Sequence, residues 1–562
     1  MTAVRRLIFT LVSTLLALTL FAQEAPVART TEPVTAETDQ DANDPRAMRL
    51  SLDDAIHTSM ERNLGIQLQE FQYRESGYGL RSAYGIYDFL GRALVQERSS
   101  QAPVTSTIES SSSQTHVVDL SVTQNTPTGG NYTVSFNNDR STNSGGVSTF
   151  SPKYGLDLGL ALNQPLLRDF GLDINRRNIT IARNTLGINH EAFRGALMQT
   201  ALDVELAYLD LIYARRAVDV VKESLFLARD QSRITQIRID VGASAPLDIL
   251  QPRVTIATTE EQLIVGVARV RSAEDRLRAL LNLDPADWDR PIIPTDTVDY
   301  TPVTINAEEA VNRAMELRPE LKQDQLDEDS RRVQYLYARN QTLPQLDFDL
   351  SYGLGGVAGN SAERDPVTGQ PTGAIERIPY GRGLRNIFEG DFPSWVIGFN
   401  VGVPITNIGA RAAAKRAELD YRQAKVEQAQ TRQTIAIDVR QAARNVDTAA
   451  RSIVATRAAR EAAEKNVEAE RRRYENGMTT NFQVLEVQQQ LSDARVRELN
   501  ALVGYNQAVA TYHRQVGDIL EVRNISVNPP ELPEEPHFFS TLDKYNWLNY
   551  GSRVKLEEDL PK

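Results

Sequence analysis

The chain carries one pattern twice, and that duplication limits what it can fold into more than any single motif does. Val241-Gly242-Ala243-Ser244-Ala245-Pro246-Leu247-Asp248-Ile249-Leu250-Gln251 returns about 235 residues later as Asn476-Gly477-Met478-Thr479-Thr480-Asn481-Phe482-Gln483-Val484-Leu485-Glu486. In both copies a long helical pattern precedes the glycine and another follows it. An earlier echo pairs Ser51-Leu52-Asp53-Asp54-Ala55-Ile56 with Asn306-Ala307-Glu308-Glu309-Ala310-Val311, and Met60 then falls in register with Met315. Such a chain is expected to be organised about a pseudo-symmetric axis, a plan unusual for an enzyme.

Two halves of about 230 residues each account for most of the 562 positions. The net charge of -12 and pI near 5.2 argue against nucleic acid as a partner, which calls for a basic footprint. The chain has no cysteine, so disulfides, thiolate metal sites, cysteine nucleophiles and an N-terminal lipid on cysteine are excluded. Arg5 and Arg6 followed by the leucine-rich run Leu7 to Leu20, with Ala22 before Gln23, read as a signal peptide over 1–22. An N-terminal anchor is the alternative, but the run is short for a span. No later segment approaches 18 continuous apolar residues, so a mature chain that enters a membrane must do so as a closed β-barrel.

The rest divides into a polar, disordered leader (23–49), a first repeat (50–284), a connector (285–304), a second repeat (305–520) and a C-terminal tail (521–562). Helical patterning runs from Leu52 to about Tyr84, with Ser51 as N-cap. The period then changes to two. Val118, Leu120 and Val122 alternate with polar residues. Beyond the Pro127-Thr128-Gly129-Gly130 turn, Tyr132, Val134 and Phe136 do the same, as do Leu156, Leu158, Leu160 and Leu162. From Gly171 to Gly242 there is no proline, and apolar residues recur at helical spacing, which predicts a rod about 100 Å long. A shorter helix follows to about Leu283. The second repeat predicts a helix over Ala307 to Asn340 and a strand through Leu346, Phe348, Leu350 and Tyr352. A Gly- and Pro-rich loop is expected from Gly355 to Pro393, then a return strand through Trp395 to Val403. Another rod of about 100 Å lies between Gly409 and Gly477, and a last helix spans Asn481 to Leu520.

With its elements in this order, the chain resembles the TolC family of outer-membrane efflux proteins. The resemblance rests on Leu52-Asp53-Asp54-Ala55, on Asn163-Gln164-Pro165-Leu166-Leu167-Arg168 closing a strand, and on the paired turns at Gly242 and Gly477. It implies an α+β membrane protein of two internal repeats, whose homotrimer forms one transmembrane β-barrel continued by a long periplasmic α-helical barrel. It also implies localisation in the outer membrane, docking to a periplasmic adaptor and an inner-membrane pump, and service as an exit duct for efflux or type I secretion. The competing expectation is a periplasmic coiled-coil adaptor or structural protein, which leaves the alternating strands unexplained.

One departure bears on the barrel. The simplest members use two strands per repeat, whereas the first repeat here offers four candidates, because Asp119 to Asn137 reads as an additional hairpin. Either the barrel exceeds twelve strands or the hairpin projects outside it.

Candidate functional residues cluster after the two glycine turns. Asp248 and Gln251 are i, i+3 neighbours, as are Gln483 and Glu486, so each half presents one acid and one amide in swapped order. In a trimer these would make carboxylate rings that favour cations. The resemblance places a periplasmic gate at these turns and maps its tyrosine onto Tyr474. The family's arginine two residues past the glycine is Thr479 here, which leaves Arg238 and Arg473 as substitute partners. Gly242, Ala243, Gly477 and Met478 are candidate adaptor contacts, and Trp395, Phe399, Phe348 and Tyr352 a candidate aromatic belt against outer-membrane lipid. The five histidines show no metal-binding spacing and no catalytic constellation emerges, so neither a metal, a cofactor nor enzymatic activity is expected.

Overall fold

The structure is a computed structural model that describes residues 45–101, 103, 112–144, 150–364 and 371–532. The signal peptide and most of the leader lie outside the described residues. The end of the leader does not: strand β1 (Met48–Leu50) pairs in parallel with Ile292–Pro294 of the connector.

The first helical stretch is two helices, α1 (Leu52–Arg62) and α2 (Leu64–Tyr84), rather than the single one expected. Asn63 separates them with extended backbone. Its side chain accepts from the N–H groups of Gly65 and Ile66 while donating to Leu280 O at 2.9 Å, so one residue caps α2 and ties it to a neighbour. Four strands follow: β2 (Leu90–Gln101), β3 (Ser112–Asn125), β4 (Asn131–Ser144) and β5 (Phe150–Pro165). A short turn of helix leads into α3 (Arg177–Asp240), 64 residues and therefore about 96 Å of helix. The chain turns at Gly242 and returns as α4 (Leu250–Leu281). Within the connector, β6 (Ile292–Pro294) holds β1 in place.

The second half follows the same order of elements. Helices α5 (Ala307–Leu317) and α6 (Pro319–Asn340) replace the single expected helix, because Pro319 forces Arg318 into extended backbone. Next come β7 (Gln345–Arg364), β8 (Pro371–Ile378), helix α7 (Tyr380–Glu389) and β9 (Pro393–Gly402). The described part of the expected Gly355 to Pro393 loop is thus ordered structure. The second rod is α8 (Ile408–Glu475), 68 residues and about 102 Å. The return helix α9 (Asn481–Val516) ends earlier than expected, where Gly517 turns left-handed (φ 95°).

Strands β2 to β5, β7, β8 and β9 form one antiparallel sheet of seven, in the order β2-β3-β4-β5-β7-β8, with β9 also on β7. The additional hairpin, β3–β4, is not a projection. Ser112–Thr123 of β3 pair with β2 on one side, and Asn131–Ser141 of β4 pair with β5 on the other. Its turn is locked to the start of α3. Gly129 adopts φ +99°, and a Cβ there would sit 2.2 Å from Asp169 O and 2.5 Å from Asn175 Nδ2.

The rods pack as hairpins, α3 with α4 and α8 with α9, and α3 also lies against α9. The main core lies where α1, α4, β1 and β6 meet α3, around Ile56, Tyr208, Leu211, Leu277 and Ile292. Glu274, fully buried on α4, accepts from Arg215 of α3 at 2.6 Å and from Arg278 at 3.1 Å, and takes the Ile292 N–H at 3.2 Å. A buried carboxylate tolerates this position only because it is so thoroughly paired.

Glycine at two facing positions lets α7 lie on the sheet. A Cβ at Gly356 of β7 would stand 2.1 Å from Gly383 O, and one at Gly383 would meet Leu156 Cδ1 at 2.7 Å. Gly356→Val is therefore expected to lift α7 from the sheet and cost about 1–3 kcal/mol. Faster tryptic cleavage at Arg382 and Arg385 would detect it, and an unchanged cleavage rate would contradict this packing.

Candidate functional site

Two regions carry the chemistry: the tips of the helical hairpins and the two faces of the sheet. At the tips, both turns are closed by the same pair of backbone bonds. Gly242 N–H donates to Ile239 O and Ala243 N–H to Arg238 O, at 2.9 and 2.7 Å. Gly477 N–H donates to Tyr474 O and Met478 N–H to Arg473 O, at 3.0 and 2.9 Å. The glycines take φ +76° and +74°, the left-handed geometry that ends a helix in this way. Gly242, Ala243, Gly477 and Met478 are exposed. So are Val241, Leu247 and Phe482, which the sequence reading passed over. Leu247 is 74% and Met478 70% exposed, a large apolar surface for a free helix end. The missed signal was an apolar residue at a turn tip, where no helical stripe needs one.

Asp248 and Gln251 are exposed, and Asp248 Oδ2 accepts from the Ala245 N–H at 3.1 Å. Gln483 and Glu486 are exposed on the first turns of α9, where Gln483 bonds the Thr479 hydroxyl. The acids thus stand in solvent, each held by a single local bond, Glu486 accepting from Gln490 Nε2 at 3.5 Å.

Arg238 and Tyr474 come together from different hairpins. The Arg238 guanidinium carbon lies 4.1 Å from the centroid of the buried Tyr474 ring, and its Nη2 donates to Tyr474 O at 3.2 Å. Arg473 does not join them; it reaches Glu470 on its own helix at 3.4 Å. Glu470 also accepts from Thr479, so the threonine standing where the family has arginine is held inside its own hairpin. A second tie between hairpins, Gln231 Nε2 to Asn481 Oδ1 at 2.6 Å, was invisible to sequence, because neither residue belongs to a motif.

The sheet separates polar from apolar by face. Register places Val122, Val134, Leu160, Tyr352 and Trp395 in one row across β3, β4, β5, β7 and β9, and Leu120, Phe136, Leu158 and Leu354 in the next. Phe348 and Phe399 share this face, with ring centroids 5.5 Å apart, so all four belt candidates lie together on it. The opposite face carries Asp119, Ser121, Thr133, Ser135, Asp157, Asp349, Ser351 and several glycines. On it Asn163 Nδ2 donates to Asp349 Oδ1 at 2.7 Å. Four successive apolar rows on β5, Leu156 to Leu162, cover about 20 Å along the strand, or about 15 Å of height at a tilt of about 40°.

An apolar wall continued by helices of this length suits a membrane channel, and comparison with known proteins agrees. The outer membrane efflux protein family profile matches residues 131–283 and 310–517. The chain belongs to that family. It is 23% identical over 392 residues to the outer membrane protein TolC of Escherichia coli K12, covering 64% of this chain and 72% of that protein. It is 22% identical over 329 residues to TolC of Vibrio cholerae serotype O1, covering 58% and 69%. Its fold is similar to that of the Campylobacter jejuni CmeC outer membrane channel, with a TM-score of 0.59 at 15% identity over 94% of each chain. As a member of this family the chain is a transport protein of the outer membrane with a large periplasmic portion, and not an enzyme. The adaptor reading is set aside by the family match and by a sheet that a coiled-coil protein has no use for.

The Arg238–Tyr474 contact predicts a measurable coupling. In a double-mutant cycle of Arg238→Ala and Tyr474→Ala, thermal unfolding in detergent is expected to give about 0.5–2 kcal/mol of interaction energy. Additive losses would show the contact to be incidental.

Proposed function

We propose that three copies of this chain close one barrel and one helical tunnel, forming the exit duct of a tripartite efflux or type I secretion system. The observation that carries the reading is the seven-stranded sheet, apolar on one face and polar on the other. Among the described residues β2 has a neighbour on one side alone, and β9 pairs with β7 alone. Backbone groups left open at such edges cost several kcal/mol each in hydrocarbon, and a neighbouring copy pairing β9 with β2 would remove the cost. The two repeats in each of three copies would then set six hairpins around the tunnel. A periplasmic adaptor joined to an inner-membrane pump would dock on the exposed tips, Leu247 and Met478 among its contacts.

Six strands of each copy (β2, β3, β4, β5, β7 and β9) run from the rods toward the far end of the sheet, which favours a barrel of more than twelve strands. With strands about 4.8 Å apart and tilted about 40°, eighteen strands give a cylinder about 36 Å across, against about 24 Å for twelve. Excising the β3–β4 hairpin is then expected to lower the largest neutral polymer that enters the reconstituted channel. An unchanged polymer cutoff would overturn the wider barrel.

Asp248 and Glu486 would supply two carboxylate rings at the periplasmic gate, and Arg238 with Tyr474 would hold the hairpins closed. In planar bilayers, Asp248→Asn with Glu486→Gln is expected to weaken block by multivalent cations about tenfold. Block that survives the double substitution would remove these residues from the gate. A monomeric, soluble periplasmic protein would sink the duct reading altogether.

A further inference from the structure

Helix α7 has no counterpart in the sequence reading and no part in the duct proposed above. It interrupts what would otherwise be one strand: β8 pairs with Gly359 to Arg364 of β7, and β9 pairs with Gln345 to Leu354. The chain between them leaves the sheet and lies across its apolar face. Gly383 and Ile387 are buried there against Leu156, Gly356 and Ala358, and the Tyr380 ring meets the Tyr154 ring edge-on at 5.8 Å.

The position of α7 along the strands is specific. The row Val118, Asn138, Leu156, Gly356 is where the apolar face ends. The next row on that face holds His116, Arg140, Tyr154 and Ala358, and Arg377 lies opposite Asn360 beyond it. The rods leave the opposite end of the sheet, at Pro165, Gln345 and Gly402. In the duct reading, on which this inference rests, α7 therefore sits at the outer-leaflet boundary on the lipid side of the wall.

The surface that α7 turns away from the sheet is charged. Arg382 and Arg385 are exposed i, i+3 neighbours, with Glu389 the one acid of the helix. Phe388 beside them is 83% exposed, and exposed Trp395 follows in the chain on the same apolar face. Exposed arginines next to exposed aromatics, on a wall that otherwise meets hydrocarbon, match the polar edge of a bilayer. We propose that α7 is an interfacial helix that binds the phosphorylated headgroups of outer-leaflet glycolipid through Arg382 and Arg385, with Arg377 above it and Phe388 in the acyl boundary. Guanidinium suits this task because it takes phosphate oxygens through two parallel bonds.

The test uses the full-length protein in nanodiscs of phosphatidylcholine carrying either lipid A or phosphatidylglycerol, with retained lipid counted by native mass spectrometry. Lipid A is expected to be retained by the parent, and on the order of tenfold less by Arg382→Gln with Arg385→Gln. The Arg382→Lys, Arg385→Lys pair is expected to recover part of the loss, and Arg444→Gln on the rod to change nothing. Equal retention by the parent and the Gln pair would overturn the site. Equal retention of phosphatidylglycerol would overturn its assignment to glycolipid. A parent chain that inserts in no bilayer would instead overturn the duct reading beneath both.

Discussion

A β-strand edge cannot face hydrocarbon, and the rest of this molecule is arranged around that constraint. Each strand of the seven-stranded sheet satisfies its neighbours, yet the outermost strands end in rows of unpaired N–H and C=O groups. In the proposed duct lipid would offer them nothing, and further copies of the chain would pair with them. The same logic reaches the rods. Helices of about 100 Å are too long to be stabilised by their own caps, and they gain support by pairing as hairpins and by packing α3 against α9. Buried ties such as Glu274 with Arg215, Arg278 and the Ile292 N–H then fix where one hairpin stops and the connector begins.

The interrupted strand shows how far the constraint bends. Between β8 and β9 the edge of β7 loses regular pairing over a few residues, and α7 lies across the apolar face beside that gap. A helix satisfies its own backbone groups, so it can stand beside a sheet in lipid where a loop cannot. The cost is steric, because a helix backbone must approach a sheet without side chains between them. Gly356 and Gly383 meet that requirement from opposite sides.

The sequence disclosed what is periodic and hid what is local. Stretches without proline and with helical spacing announced both rods, and the 2-residue alternation through Leu156 to Leu162 and Trp395 to Val401 announced strands with a single apolar face. The Gly355 to Pro393 stretch was misread because its glycines look like turn residues. In β7 they serve instead for close approach, to Gly383 at position 356 and to Pro152 O at position 359. Asn63 and Pro319 break helices whose apolar stripe continues past the break, so periodicity alone carries the helix through them. At the tips, alignment of the repeats selected Arg238, Arg473 and Tyr474, but which arginine reaches the tyrosine depends on how two hairpins lie together. No one-dimensional pattern holds that information.

That choice of partner gives the duplication a direction. The two turns are alike to the level of their backbone bonds, yet their side chains are committed differently. Arg473 and Thr479 are both engaged by Glu470 within the second hairpin, while Arg238 leaves its own hairpin to lie on Tyr474 and to donate to its carbonyl. Parting the hairpins would leave the internal bonds of the second intact and would strip the first of its arginine contact. In the proposed assembly the six tips would therefore not open as six equal units. Motion would concentrate at the three joints where Arg238 meets Tyr474 and Gln231 meets Asn481, since those contacts cross between hairpins while the Glu470 contacts do not. A sequence repeated twice has become a structure in which one copy reaches and the other is held.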